Sequence, residues 1–196
     1  MVVDGALLAS QTRLVEFSDY VRVIPSQHAA TPLGCAAGHS RFGGTGKTFS
    51  VLYAAHSLTT ALAETVVRDR FEGQADRRLF AAELTGRSAV RLRFAEPLRL
   101  VDLRTGGCIK LGISTDIAGA KCFDEAQAFS SVVYENEAID GILYSSRLTA
   151  ENCVAIFDRA TSRLASDNIS PLVQLQELGA SLAELNGKRG QEAAID

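Results

Sequence analysis

Residues 41–48, Arg-Phe-Gly-Gly-Thr-Gly-Lys-Thr, combine two cations with three glycines, a set that suits an anion. A guanidinium presents a fork of donors and an ammonium a point charge. Gly43, Gly44 and Gly46 let main-chain N–H groups approach a ligand closely. The ending Gly46-Lys47-Thr48 matches the close of the phosphate loop (P-loop) found in nucleotide triphosphatases. That loop needs a glycine five positions before Gly46, where Arg41 stands. It also needs a hydrophobic strand before it and a helix after it, whereas AAGHS precedes it and the alternating TFSVLYAA follows. No hydrophobic strand ends in a convincing Walker-B aspartate either. A triphosphatase is thus the weakest reading, leaving a phosphate-bearing ligand of another kind or a surface turn with solvated charges.

The other reactive residue types offer less. Cys35 and His39 stand four apart in a stretch without periodicity, and no second ligand pair sits at finger-like spacing. Asp102, Asp116 and Asp124 form no divalent-ion motif, so no metal is expected. The four cysteines lack any CxxC spacing and read as free thiols of a reducing compartment. A net charge of −3 argues against a nucleic-acid partner, which would call for a basic surface. No apolar run reaches the roughly 18 residues of a membrane helix, and the early Asp4 argues against a signal peptide. Cytoplasmic location follows as an expectation.

The elements that must position these groups come in a run of strands. YVRVIP (20–25), FSVLYAA (49–55), RLFAAEL (78–84), SAVRLRF (88–94), LRLVDL (98–103), GILYSSR (141–147) and CVAIFDR (153–159) are predicted strands. Between the first two, residues 26–47 read as a long loop, of the length that often carries function. Ser57 is a good N-cap for a helix whose Leu58, Ala61, Leu62, Thr65 and Val66 share one stripe. Glu64 lies off that stripe, near Val67 and Phe71, on a second and partly covered face. A helix over 124–138 turns Ala126, Phe129 and Val133 inward. After Pro171, leucines 172, 175, 178, 182 and 185 predict an amphipathic C-terminal helix, followed by a frayed tail. Strands without regular βαβ alternation indicate a mixed α+β domain. We expect residues 1–165 as the domain and 166–196 as a helix and tail that pack on it or extend it.

The order of these pieces resembles the RES-domain family, named for its Arg, Glu and Ser. The resemblance runs from about Tyr20 to about Arg159: an Arg-containing glycine loop, the strand LYAA, TALAE on a helix, and late in the chain DGILYSSR. RDRF after the helix and LRLVDLR are similar to the ParT subgroup. The resemblance implies a toxin of a type II toxin–antitoxin pair with an ADP-ribosyltransferase-like fold, NAD+ as substrate and an Xre/MbcA/ParS-type antitoxin as partner. Some members phosphorolyse or hydrolyse NAD+, while others transfer ADP-ribose to a protein. It also implies roles: Glu64 is the family glutamate, Tyr53 the pocket tyrosine, and Ser146 the family serine, with Ser145 as a fallback. Many members read G-R-W where this chain has Gly44-Thr45-Gly46, so Arg41 or Lys47 must carry the anion contact. Arg22 matches a further arginine near the start of the domain.

These residue types suit the implied chemistry. Breaking the nicotinamide–ribose bond passes through an oxocarbenium-like state, and nicotinamide leaves as a neutral base. A carboxylate such as Glu64 can hold a ribose hydroxyl and offset developing positive charge. Tyr53 can stack on the nicotinamide ring. Arg22, Arg41 and Lys47, with the main chain of Gly43 and Gly44, can hold the pyrophosphate so that only the ribose moves. A module that holds a nucleotide without turnover would use the same loop.

Overall fold

The computed structural model describes residues 1–35, 39–77, 79 and 81–185, and of Lys47 only the main chain. The tail read from sequence at 187–196 lies outside these residues. Helix α1 (Gly5–Gln11) is capped by Asp4, whose carboxylate accepts from the N–H groups of Ala6 and Leu7. It leads into β1 (Thr12–Val15) and β2 (Tyr20–Pro25). After the long loop come β3 (Val51–Ala55), α2 (Leu58–Leu62), α3 (Ala81–Thr85), β4 (Arg87–Phe94) and β5 (Leu98–Asp102). Three helices follow: α4 (Gly107–Lys110), α5 (Asp116–Gly119) and α6 (Asp124–Glu135). The chain then forms β6 (Gly141–Ser145), β7 (Asn152–Phe157), β8 (Leu164–Pro171) and α7 (Leu178–Leu185).

The strands form one eight-stranded sheet in the order β1-β5-β6-β7-β3-β2-β4-β8. Every junction is antiparallel apart from β5–β6, whose connection carries α4, α5 and α6. The sheet curls strongly. Phe94, at the end of β4, donates its N–H to the carbonyl of Phe17, just past β1, although those strands lie near opposite ends of the order. Phe17 also packs against Tyr20 and Phe94 at ring distances of 4.2 and 5.0 Å.

Period-two alternation divides the core between the two faces. Val101, Ile142, Ala155 and Phe157 point to the face covered by α2, α6 and α7. Leu100, Leu143, Val154 and Ile156 point into the concave face with Tyr20, Val90 and Leu92. The chain is therefore the mixed α+β fold expected, a β core flanked by helices. α7 packs on α2, and β8 spans the 165/166 point.

Four local expectations need correction. Residues 81–85 are helix, not strand, and positions 78 and 80 lie outside the described residues. Ala, Glu and Leu are strong helix formers, and Leu84 alone of that turn is buried. The edge strand β8 went unpredicted because LASDNIS is polar and half-exposed, as an outer strand can be. The helix after Pro171 starts only at Leu178, with a 3-10 turn over Leu172–Gln174 before it. The helix over 124–138 stops at Glu135, where Arg159 donates to the carbonyls of Tyr134 in its last turn (2.7 Å) and of Asn136 just past its end (2.9 Å).

Candidate active site

β2 and β3 are registered at a single pair, Val21 with Ala55. A cavity of about 190 Å³ sits where they part, lined by Val21, Arg22 and Val23 from one strand and Val51, Tyr53, Ala54 and Ala55 from the other. Tyr144 and Cys153 from β6 and β7 complete the strand side, and Ala61, Glu64 and Thr65 close it from the helix.

Glu64 owes its place to a local irregularity. Ser57 caps α2 by accepting the Thr60 N–H at 3.1 Å. After Leu62 the helix widens into a π turn over Ala63–Val67, in which the Arg68 N–H reaches back to the Ala63 carbonyl at 2.7 Å. Arg68 ends it with φ at 48°, in the region a non-glycine residue rarely adopts. Such turns recur at functional sites because they redirect one side chain without ending the helix.

Ser146 follows β6 and is 2% exposed. Its hydroxyl accepts from the N–H groups of Leu148 (3.1 Å) and Thr149 (3.3 Å) and donates to Glu64 Oε1 at 2.6 Å. The two amides occupy the oxygen, so the single hydroxyl proton is aimed at the carboxylate. Ser145 pairs with Asn152 across the ladder, and no hydrogen bond joins it to Glu64 among the described residues.

A second carboxylate braces this pair. Glu151 Oε2 accepts from Ser57 Oγ and from Thr60 Oγ1 (2.5 Å), and Thr60 also bonds Thr149 at 2.8 Å. The start of α2 is thereby tied to the 146–151 turn, fixing Glu64 relative to Ser146. Burial raises the Glu151 pKa, but the hydroxyl donors outweigh it and leave the pKa below the ordinary carboxylate value.

Tyr53 lines the cavity with its ring and anchors the loop with its hydroxyl. The hydroxyl donates to Ser40 Oγ at 3.1 Å and accepts the Phe42 N–H at 2.8 Å. Burial pushes its pKa up to about 12. Arg41, between those partners, donates to the Ala120 carbonyl at 2.7 Å and lies over the Phe123 ring at 5.0 Å. Burial lowers its pKa, countered by the nearby Tyr144 and Glu64. Arg22 donates through Nη2 to the Gly34 carbonyl at 2.8 Å. Its Nη1 is buried and without a partner among the described residues, and burial lowers the pKa of the group.

Arg22, Tyr53 and Glu64 thus line one cleft, Ser146 joins it through its bond to Glu64, and Arg41 stands outside the lining, held on the Ala120 carbonyl. The glycines stand elsewhere. Loop 40–45 is bolted to α6: Ser130 donates to the Phe42 carbonyl at 2.7 Å, Gln127 to the Ser40 carbonyl at 2.9 Å, and Ser131 bonds Thr45 at 3.1 Å. A Cβ on Gly44 would lie 2.8 Å from the Phe49 ring, so this glycine serves close packing. Gly43 donates to the Ser40 carbonyl at 3.2 Å. Neither glycine lines the cavity. The Lys47 side chain lies outside the described residues.

Sequence reading missed Tyr144, although the signal was present. Tyr144 and Ser146 are two apart, hence on one face of the strand, with Ser145 on the other. Tyr144 is 5% exposed, packs edge-on against Phe42 at 5.0 Å, and burial raises its pKa well above the ordinary phenol value. Burial likewise pushes the Cys153 thiol to about 12, so it is no nucleophile near neutrality. Cys35 and His39 do not meet: Cys35 lies near Arg22, while the His39 ring packs at a tilt against Phe123 at 5.3 Å. Among the described residues no group of three His, Cys, Asp or Glu could hold a metal ion. Asp102 is instead gripped by Arg104 at 2.9 Å.

The RES domain model matches residues 16–178. A protein named "Probable toxin y4kH" from Sinorhizobium fredii is 34% identical over 104 residues, covering 53% of this chain and 82% of that protein. A chain in the crystal structure of the M. tuberculosis MbcT–MbcA toxin–antitoxin complex superimposes with a TM-score of 0.68 at 16% identity, covering 90% of this chain and 98% of that one. No described helix is long and apolar enough to cross a membrane. A family match over most of the chain, joined to a toxin relative covered over most of its length, means that this protein belongs to the RES domain family of toxins.

Proposed function

We propose that this toxin acts as an enzyme on NAD+, breaking the nicotinamide–ribose bond and passing ADP-ribose to a protein side chain, phosphate or water. The observation that carries this reading is the Ser146–Glu64 hydrogen bond of 2.6 Å beside an apolar cleft. Glu64 would accept a ribose hydroxyl and offset the positive charge that grows on the ribose as the bond breaks. Val21, Val23, Ala61 and the rings of Tyr53 and Tyr144 suit a flat nicotinamide. The Nη1 of Arg22, which has no partner among the described residues, suits the diphosphate, and Arg41 is a second candidate. Family membership supports the same substrate. The structural neighbour, a toxin–antitoxin complex, supports an antitoxin partner, which we take to be of the Xre/MbcA/ParS type.

The test uses protein freed of any antitoxin and incubated with NAD+. Nicotinamide release is expected from wild type, and Glu64→Ala is expected to lower it by about a hundredfold or more with the thermal melt retained. If wild type neither releases nicotinamide nor labels a protein from radiolabelled NAD+, the enzymatic reading fails. Tight NAD+ binding without release would instead mark a nucleotide-holding module. Magnesium-dependent ATP turnover lost in Lys47→Ala would revive the phosphate-loop alternative, against which the strand β3 directly after the loop speaks.

A further inference from the structure

Three cations meet at the turn formed by residues 119–121, beside the cleft. Arg41 is bonded to the Ala120 carbonyl. Arg147 directly follows Ser146, and its Cβ lies 4.0 Å from the position a Cβ on Gly119 would take, so its stem crosses the same turn. Lys121 belongs to the turn itself. Burial lowers the Arg41 pKa and the charge of Arg147 lowers it further, so the two guanidiniums are within electrostatic reach.

The counter-charges come from one other segment. Asp69 Oδ1 accepts from Arg147 Nη2, and Glu72 Oε2 accepts from Lys121 Nζ at 2.5 Å. Both carboxylates follow the π turn that carries Glu64, just past the strained Arg68. The side chain of Asp69 is 41% exposed and that of Arg147 27%. A pair this accessible is weak, since water and salt screen it. A diphosphate brings more charge and more acceptor oxygens to a guanidinium than one carboxylate does.

The geometry points to an exchangeable contact: in the free protein Asp69 occupies Arg147, and the diphosphate of a bound substrate takes over that guanidinium. Naming the diphosphate as that of NAD+ rests on the function proposed above; the exchange itself concerns any diphosphate. Arg147 then joins Arg22 and Arg41 as a substrate contact, and Asp69 is a resident competitor. A structural clamp between Asp69 and Arg147 makes the opposite prediction for removing the carboxylate.

Calorimetric titration with inorganic pyrophosphate, and separately with NAD+, distinguishes the two. Asp69→Asn is expected to tighten pyrophosphate binding roughly two- to fivefold, the scale of an exposed ion pair. Arg147→Gln is expected to weaken it about tenfold, and adding Asp69→Asn to that variant should change nothing more. Arg147→Lys, which keeps the charge but loses the fork, should fall between if the glutamine variant unfolds. Pyrophosphate affinity that is unchanged or weaker in Asp69→Asn overturns the exchange, as does wild-type affinity in the folded Arg147 variants. If the pyrophosphate series behaves as expected but NAD+ binds no variant, the anion contact stands and the NAD+ assignment falls. If NAD+ binds wild type and neither substitution moves pyrophosphate, the reverse holds.

Discussion

At the scale of single residues, the site turns on where one hydroxyl proton goes. Ser146 accepts two main-chain amides and spends its proton on Glu64, whereas Ser145, one residue earlier, faces the other side of the strand. The two serines should therefore separate cleanly. Ser146→Ala is expected to lower nicotinamide release about tenfold, the value of one hydrogen bond to a carboxylate, while Ser145→Ala should stay within about twofold of wild type. Equal losses in both, measured under saturating NAD+, would show that the hydroxyl at 146 does not orient Glu64. Tyr53 acts through two ends: its ring lines the cleft, and its hydroxyl holds the loop that carries Arg41.

At the scale of elements, the glycine loop and the π turn divide the labour. The loop is a strap stitched to α6 that holds Arg41 on the Ala120 carbonyl, and its Gly44 serves close packing. Gly44→Ala tests this assignment. Its new methyl would meet the Phe49 ring at 2.8 Å and Thr48 Oγ1 at 2.5 Å, an overpacking that is expected to cost about 1–3 kcal/mol. Denaturant melts should show the loss, while NAD+ affinity of the folded protein stays near wild type. A stable variant with collapsed affinity would return the glycine to the phosphate. The π turn was not legible in TALAETVVRDR, because helical periodicity describes an ideal helix and the widening depends on what Val67 and Glu64 pack against. Position 64 was read as lying off the main stripe, yet it faces the cleft together with Ala61 and Thr65 of that stripe.

At the scale of the whole molecule, the curled sheet buries acids that must stay protonated. Burial raises Tyr20, Tyr53 and Cys153 each to about 12, from ordinary values of 10.0, 10.0 and 9.0. A raised pKa means that the folded state holds its proton more tightly than the unfolded chain. The stability this contributes is full below pH 9 and is lost as pH rises from about 9 to about 12. Stability in urea should thus be flat from neutrality to pH 9 and fall steeply above pH 10. Tyr53→Phe should shallow that fall, since it removes one of these buried protons, of which Tyr144 holds another. An equally steep fall in the variant would assign the alkaline unfolding to other groups.

The amino-acid sequence by itself determined the element types over most of the chain, because alternation and capping are local. YVRVIP, VLYAA, GILYS and Ser57 needed no tertiary partner to be recognised. It also supplied Glu64, Tyr53 and Ser146, whose order and spacing carry the family resemblance. Local pattern failed at AAELT, where propensity outweighed apparent alternation, and at the polar edge strand β8, whose only signal is its partner β4. Tertiary structure alone decided which cations stand at the cleft, Arg22 in its lining and Arg41 and Arg147 outside it. Arg22 and Arg41 are 19 positions apart in sequence, and Arg147 arrives from more than a hundred residues later. Only the parting of β2 from β3, and the docking of the loop on α6, brings such groups together. Side-chain charge is written in the chain, but its neighbours are set by strand order and curl, which are properties of long-range pairing.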